Sequence, residues 1–262
     1  MPIRITDPSD PRLSEYVALM GKRIEHPDYC IVETSLVIRR LIGSAFPIRS
    51  LLLLPEQAER LADVLPLVEA PIYLVDRDVM NATAGFNVHR GALASATRRP
   101  LATLDDIVAT ATRLVVLEGC NDHGNLGVIA RSARGLGMDG MLLDPSCADP
   151  FYRRSLRVSM GELLYLPVAR CPQWPAALDT LIAAGFAVWA LTPAADAVNL
   201  DDLARTSPAR IAILVGAEGP GLSDAAMRAA THRVRIPMHH GVDSLNIGHA
   251  TAIAMAAIAP RF

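Results

Sequence analysis

A regular alternation of short apolar runs with helix-length segments, set from about residue 100 onward, predicts an α/β protein whose sheet is mostly parallel and covered on both faces. Two further observations agree. Apolar residues make up 51% of the 262 positions, and 17 glycines and 19 prolines are close to ordinary usage. The chain therefore has the material for a core and none of the bias of disordered or collagen-like sequences.

Before residue 100 the apolar runs Ser50–Leu54 and Ile72–Val75 read as strands, and residues 33–41 and 56–65 read as helices, giving a small α/β unit. The stretch 95–106, ASATRRPLATLD, is polar and turn-like and marks a boundary near residue 100. Two domains follow, 1–100 and 101–262. Beyond the boundary the expected strands are Leu114–Leu117, Gly140–Leu143, Leu163–Val168, Phe186–Leu191, Ile211–Val215 and Val234–Ile236. Helices are expected at about 126–136, 151–159 and 175–184, from Asp224, and at about 243–258. In parallel sheets ligands sit beyond the carboxyl ends of the strands, so the strand-exit loops are where chemistry is sought.

Composition excludes several classes. The first residues, MPIRITDPSDPR, lack the apolar central run of a secretory signal. No apolar stretch reaches the roughly 20 residues that a membrane helix needs. Cys30, Cys120, Cys147 and Cys171 are scattered without C-x-x-C spacing and read as reduced packing residues, which fits a cytoplasmic protein. With 25 Lys+Arg against 27 Asp+Glu there is no general basic coat, so any nucleic-acid contact must be a local patch. Lys22 is the single lysine. The arginines Arg39, Arg40, Arg49, Arg90, Arg98 and Arg99 of the first domain, with His89, read either as solvated surface or as such a patch.

Three exit loops stand out. The first, Glu118-Gly-Cys-Asn-Asp-His-Gly-Asn-Leu-Gly-Val-Ile-Ala-Arg131, sets Asn125 at a helix entrance, where it can cap, and Arg131 six residues on. A cap plus a surface arginine would read the same loop. The second, Gly216-Ala-Glu-Gly-Pro-Gly-Leu-Ser-Asp224, has glycine spacing that matches neither the dinucleotide fingerprint nor a phosphate loop, yet it lets backbone approach a flat ligand. An ordinary Gly-Pro-Gly turn before a helix capped at Ser223-Asp224 explains part of it. The third, Pro237-Met-His-His-Gly-Val-Asp-Ser-Leu-Asn246, puts Ser244 and Asn246 at another helix entrance, where N-capping is the plain alternative. His239, His240 and His249 suggest a metal, but adjacent histidines on a strand-like path point apart and no carboxylate pair completes a site, so none is expected. No G-x-S-x-G elbow supports a serine nucleophile.

Taken in order, Asn125-x-Gly127 with Arg131, then Val215-Gly-x-Glu218-x-x-Gly221, then Ile236-Pro-Met238 followed by Ser244-Leu-Asn246, with Ser159-Met-Gly161 between the first two, the sequence resembles the SpoU (TrmH-type) RNA ribose 2′-O-methyltransferase family over about residues 118–258. The resemblance implies a C-terminal α/β methyltransferase domain closed by a trefoil knot, S-adenosyl-L-methionine as cofactor and a homodimer. It implies that Val215, Gly216, Ala217, Ile236, Met238 and Leu245 bind the cofactor and that Asn125, Arg131, Glu218, Ser244 and Asn246 are catalytic. The first hundred residues, ending Gly85-Phe-Asn-Val-His-Arg-Gly-Ala-Leu-Ala94, look like the smaller L30e-like domain that binds RNA substrate in several ribosomal RNA methylases. Ribosomal RNA is favoured over transfer RNA as the partner, and an inactive RNA-binding homologue stands as the alternative. Ile247-Gly248-His249 departs from the family's usual small β-branched run and leaves the local packing there open.

Chemically, methyl transfer to a ribose hydroxyl needs a stabilised alkoxide and in-line alignment. Arg131 can stabilise the alkoxide and grip a phosphate, Asn125, Ser244 and Asn246 can orient the ribose, and Glu218 can hold the loops in register. The Ala-rich C-terminal helix suits close packing, either within the core or across a dimer.

Overall fold

The computed structural model describes residues 2–19, 26–206 and 208–260; Lys22 lies outside them. Two compact units are present, one of Met1–Pro100 with Phe151–Tyr165 and one of Leu101–Pro150 with Leu166–Phe262. The sequence reading drew a single cut near residue 100; residues 151–165 nevertheless group with the first unit.

The first unit contains β1 (Ile3–Arg4), β2 (Tyr29–Glu33), α1 (Ser35–Ile42), β3 (Ile48–Leu53), α2 (Pro55–Arg60), β4 (Ile72–Leu74), α3 (Arg77–Ala84) and β5 (Ala92–Thr97). Its strands run β1-β4-β3-β5-β2, with β5 antiparallel to both of its neighbours. The helix expected from Glu33 starts two residues later. Thr34, at φ 83°, caps it by accepting from Val37 N, and Glu33 ends a strand instead. The turn-like reading of 95–106 is also corrected: Ser95–Thr97 close β5, and Thr103 and Asp106 form a reciprocal capping box at the next helix. Tyr16 ties this core together. It is fully buried, and its hydroxyl donates to Ser50 O (2.9 Å) while accepting from Ser95 N (3.1 Å).

The second unit contains α4 (Leu104–Thr110), β6 (Arg113–Leu117), α5 (His123–Gly135) and β7 (Gly140–Leu143). After α6 (Arg153–Val158) of the first unit come β8 (Val168–Arg170), α7 (Ala177–Ala183), β9 (Ala187–Leu191), β10 (Val198–Asn199), α8 (Leu200–Ala204), β11 (Ile211–Val215), α9 (Asp224–Ala229), β12 (His232–Arg235) and α10 (Ile247–Ile258). Among the described residues, seven strands lie in the order β10-β12-β9-β11-β6-β7-β8, and every pairing between them is parallel. The α/β class and the mostly parallel sheet read from the sequence are thus observed. Central β11 is buried along its whole length, as a strand covered on both faces must be. Among the described residues, no helix is long and apolar enough to cross a membrane.

The strand expected at Val234–Ile236 lies at His232–Arg235, and in the first unit the helix expected at 56–65 ends at Arg60. In the second unit three further boundaries moved by three residues or more. Leu163–Val168 is not one strand: Gly161 takes φ 83° and opens a 3-10 turn at Glu162–Leu164, and the strand begins only after Pro167, which has no N–H to give a ladder. The first-loop helix starts at His123, because Asp122 Oδ1 accepts from Asn125 N (2.8 Å); Asn125 is therefore in the first turn and is not the cap. The last helix starts at Ile247, where Asn246 Oδ1 accepts from Gly248 N (2.9 Å). Residues 243–246 belong to the loop.

In the first unit, the segment 151–165 is held by charge pairs. Buried Glu33 accepts from Arg153 Nη1 (2.7 Å) and Arg157 Nη1 (3.4 Å), Arg40 pairs with Glu162, and the Tyr165 hydroxyl donates to Arg40 O (2.5 Å). Of the other arginines noted in the sequence, Arg39 pairs with Asp63 and Arg49 with Glu15, whereas Arg98 and Arg99 lie over the rings of Phe151 and Phe46. His89 and Arg90 are exposed in a turn.

Asp144, just after β7, organises the exits of two neighbouring strands. Its carboxylate accepts from Gly119 N (3.1 Å), Ser146 N (3.1 Å), Ser146 Oγ (2.7 Å) and Cys147 N (2.9 Å). Burial pushes this carboxyl up, but the bonds from Ser146, Cys147 and Gly119 outweigh it and hold it below the usual carboxylate range. Because the folded pKa is depressed, the stabilisation is present above the unfolded value near 3.9 and is lost as pH falls through the folded one. Asp144→Asn is expected to cost about 1–3 kcal/mol at pH 7. The gap to the parent should close below about pH 4, as read by urea unfolding across pH.

Candidate active site

The exits of β9, β11 and β12 and the start of α10 enclose a cleft of about 540 Å³ in the second unit. Its walls are Leu191, Thr192 and Pro193 after β9, residues 215–222 after β11, and Ile236, Met238 and residues 243–247 after β12, with Met227, Val234 and Ala250 completing the lining. A parallel sheet with open carboxyl ends produces this geometry, and the size is that of a small-molecule site.

The second loop owes its shape to glycine. A Cβ on Gly216 would overlap the backbone of Gly221 and Leu222, so the loop can fold onto itself only with no side chain there. An Ala217–Gly221 bridge, with Gly221 N donating to Ala217 O (3.0 Å), closes it, and Gly219 and Gly221 supply the positive φ values of 93° and 72°. Ser223 caps α9 by accepting from Ala226 N (3.1 Å), as the sequence had suggested.

Asn246 joins the three loops. Its Nδ2 donates to Glu218 Oε1 (2.6 Å) and to Asn125 Oδ1 (3.2 Å), while its Oδ1 caps α10. Both amide protons and the carbonyl oxygen are thereby used. Since the Glu218 carboxylate can only accept, the Asn246 amide is fixed in one orientation. Capping and site-building, which the sequence left as alternatives, are done by the same side chain.

Every residue expected to bind the cofactor, Val215, Gly216, Ala217, Ile236, Met238 and Leu245, lines the cleft, as do Glu218, Ser244 and Asn246. Asn125 reaches them through its bond to Asn246. Arg131 does not line the cleft; it lies exposed further along α5, six residues past Asn125 and about 9 Å along the axis. Ser244 is exposed and caps no helix. The path at His239-His240 is not strand-like, since β12 ends at Arg235 and His240 has φ 57°.

The departure at Ile247-Gly248-His249 has a packing reason. α10 lies against α5, and a Cβ on Gly248 would come within 2.9 Å of Val128 Cγ1. Glycine allows the close approach, while Ile247, Thr251, Met255 and Ile258 on the same face are buried. Sequence reasoning missed Thr192, Pro193 and Asp243 in the cleft wall; searching the exit of the correctly expected β9 would have found the first two. Nucleophilic chemistry at the nearby thiol is disfavoured, because burial pushes Cys120 up to about 12.

The model of the SpoU rRNA methylase family matches residues 112–256, more than half of the chain. The chain belongs to the SpoU rRNA methylase family. An uncharacterized tRNA/rRNA methyltransferase of Mycobacterium tuberculosis is 44% identical over 256 residues, 95% of this chain and 89% of the relative. RlmP of Bacillus subtilis, a 23S rRNA (guanosine(2553)-2′-O)-methyltransferase, is 29% identical over 149 residues, 57% of this chain and 58% of its own. The crystal structure of an AdoMet-bound rRNA methyltransferase from Sinorhizobium meliloti matches with a TM-score of 0.82 at 26% identity, covering 98% of this chain and 97% of that one. The motifs Val215–Gly221, Ile236–Met238 and Ser244–Asn246 of this SpoU-family chain all fall within the matched residues and all meet at the cleft.

Gly216→Ala is expected to lower stability by about 2–4 kcal/mol, since the clash is with backbone that cannot rotate away. Gly135→Ala, at a helical position with open space, should be neutral or slightly stabilising in the same unfolding assay.

Proposed function

We propose that this protein is an S-adenosyl-L-methionine-dependent RNA methyltransferase that methylates a ribose 2′-hydroxyl, with ribosomal RNA as its substrate. The observation that carries the reading is the meeting of Asn125, Glu218 and Asn246 at the rim of a cleft whose walls are the three motif loops.

The cleft fits the cofactor chemically. Leu191, Val234, Ile236, Met238 and Leu222 offer apolar walls for an adenine, and the loop backbones at 216–222 and 236–245 offer polar groups at its edge. Glu218 and Asp243 supply carboxylates on the lining of a site for a cationic sulfonium. Val215, Gly216, Ala217, Ile236, Met238 and Leu245 would hold the cofactor, which when bound supplies the electrophilic methyl group.

The chain's own residues do the rest. Arg131 is exposed and cationic, suited to gripping an RNA phosphate and stabilising the negative charge that develops on the 2′-oxygen. Asn125 and Ser244 orient the ribose, and Glu218 holds Asn246 and so the three loops in register. The smaller first unit serves as the RNA-binding domain. Its Arg98 and Arg99, pre-ordered over phenylalanine rings, support that role. The return of α10 against α5 and β11 supports the trefoil passage of the C-terminal segment, and its exposed Ile253 supports a homodimer face. The four free thiols and the proposed RNA substrate support a cytoplasmic site of action.

The test is transfer of radiolabelled methyl from S-adenosyl-L-methionine to unmodified ribosomal and transfer RNA in parallel, with alkali resistance marking a 2′-O-methyl product. Label in ribosomal RNA at an alkali-resistant dinucleotide is expected. Label confined to transfer RNA overturns the substrate, and alkali-labile label overturns the position. Arg131→Ala is expected to lower turnover about 10²–10³-fold with cofactor affinity unchanged.

A further inference from the structure

We infer that Glu118 is a positioning residue that sets cofactor affinity by clamping both ends of the loop 216–222; this rests on the proposed use of the cleft for S-adenosyl-L-methionine. Glu118 is the first residue after β6 and does not itself line the cleft. Its backbone N–H donates to Val215 O (2.9 Å), immediately before the loop. Its side chain reaches across to the other end: Oε2 accepts from Ser223 N (2.7 Å) and Oε1 from Ser223 Oγ (2.7 Å). The same Oε1 accepts from Trp174 Nε1 (2.6 Å). One residue therefore fixes the points where the loop leaves the sheet and where it enters α9.

The chemistry requires a carboxylate. Three donors converge on the carboxylate of a residue only 9% exposed, and a carboxylate is the side-chain group that offers acceptors alone. Glutamine would turn its amide hydrogens toward Ser223 N or Trp174 Nε1 and take the acceptor away from that half-buried donor. Next door, Gly119 brings the β6 exit against the loop itself: a Cβ there would lie 3.1 Å from Ala217 Cβ. The loop's own bonds, at Ala217–Gly221, close its tip but not its ends. Without the Glu118 carboxylate the β11 end stays held through the backbone, but the end at Ser223 is released, and the Gly216–Gly221 wall of the cleft shifts with it.

Trp174 makes the arrangement observable. The chain has two tryptophans, and the other, Trp189, is fully buried within β9. Loss of the carboxylate acceptor should shift the Trp174 emission in the full-length protein.

The experiment measures the dissociation constant for S-adenosyl-L-methionine by calorimetry, and KM and kcat for methyl transfer, in the parent, Glu118→Gln, Ser223→Ala and the double variant. The expected result is a cofactor dissociation constant and KM raised about tenfold in Glu118→Gln. kcat at saturating cofactor and KM for RNA should be unchanged, the tryptophan emission shifted, and the double variant no weaker than Glu118→Gln. Ser223→Ala alone should weaken the cofactor several-fold, and it decides the matter if Glu118→Gln does not fold. Cofactor binding within twofold of the parent in the folded variants, or additive losses in the double variant, overturns the clamp. A parent protein that does not bind S-adenosyl-L-methionine overturns the functional reading itself, and the inference with it.

Discussion

The side-chain amide of Asn246 is where the candidate site is made or lost. It donates to Glu218 from the β11 loop and to Asn125 from the first turn of α5, and its oxygen caps α10. Glu218 and Asn125 are 28 and 121 residues away from it in sequence. Each bond is partly solvated and worth about 1 kcal/mol. Their value is geometric: they hold three strand exits in the one arrangement that encloses the cleft.

That arrangement depends on backbone approach as much as on side chains. Gly216 lets the β11 loop fold onto itself, and Gly248 lets α10 settle against Val128 of α5. With α10 seated, its carbonyl at Ile258 accepts from Arg113 Nε (2.7 Å), fastening the last helix to the start of β6. Burial of Ile247, Thr251, Met255 and Ile258 along one face supplies the hydrophobic drive for this seating. The polar rim is thus carried by an apolar seam and two glycines, and it needs no further charge pairing.

How much of this was legible in the sequence follows from the kind of signal each part carries. Central strands of the second unit such as Ile211–Val215 and Ala187–Leu191 are unbroken apolar runs, and these point to a parallel sheet, whereas β12, His-Arg-Val-Arg, carries no such signal. The cleft lining was legible through the resemblance to the SpoU family, whose motif residues here sit at the ends of the strands. β5 was not legible: Ala92–Thr97 is made of Ala, Ser, Leu and Thr, with no alternation that marks a strand, and it is buried through pairing with two neighbours. The grouping of 151–165 with the first unit was hidden for a similar reason, since it rests on Glu33 meeting Arg153 and Arg157 across about 120 residues of chain. Likewise nothing local says that Asp122, and not Asn125, caps α5; both residues are good caps, and only tertiary bonding to Asn246 shows why the second is kept free.

The central claim is that Asn246 and Glu218 act as one unit in shaping the site. A double-mutant cycle on kcat/KM for methyl transfer, with Glu218→Gln, Asn246→Ala and the pair, tests it most directly. The account predicts strong coupling, the double variant being about as impaired as the worse single one. Independent losses that simply multiply would contradict it.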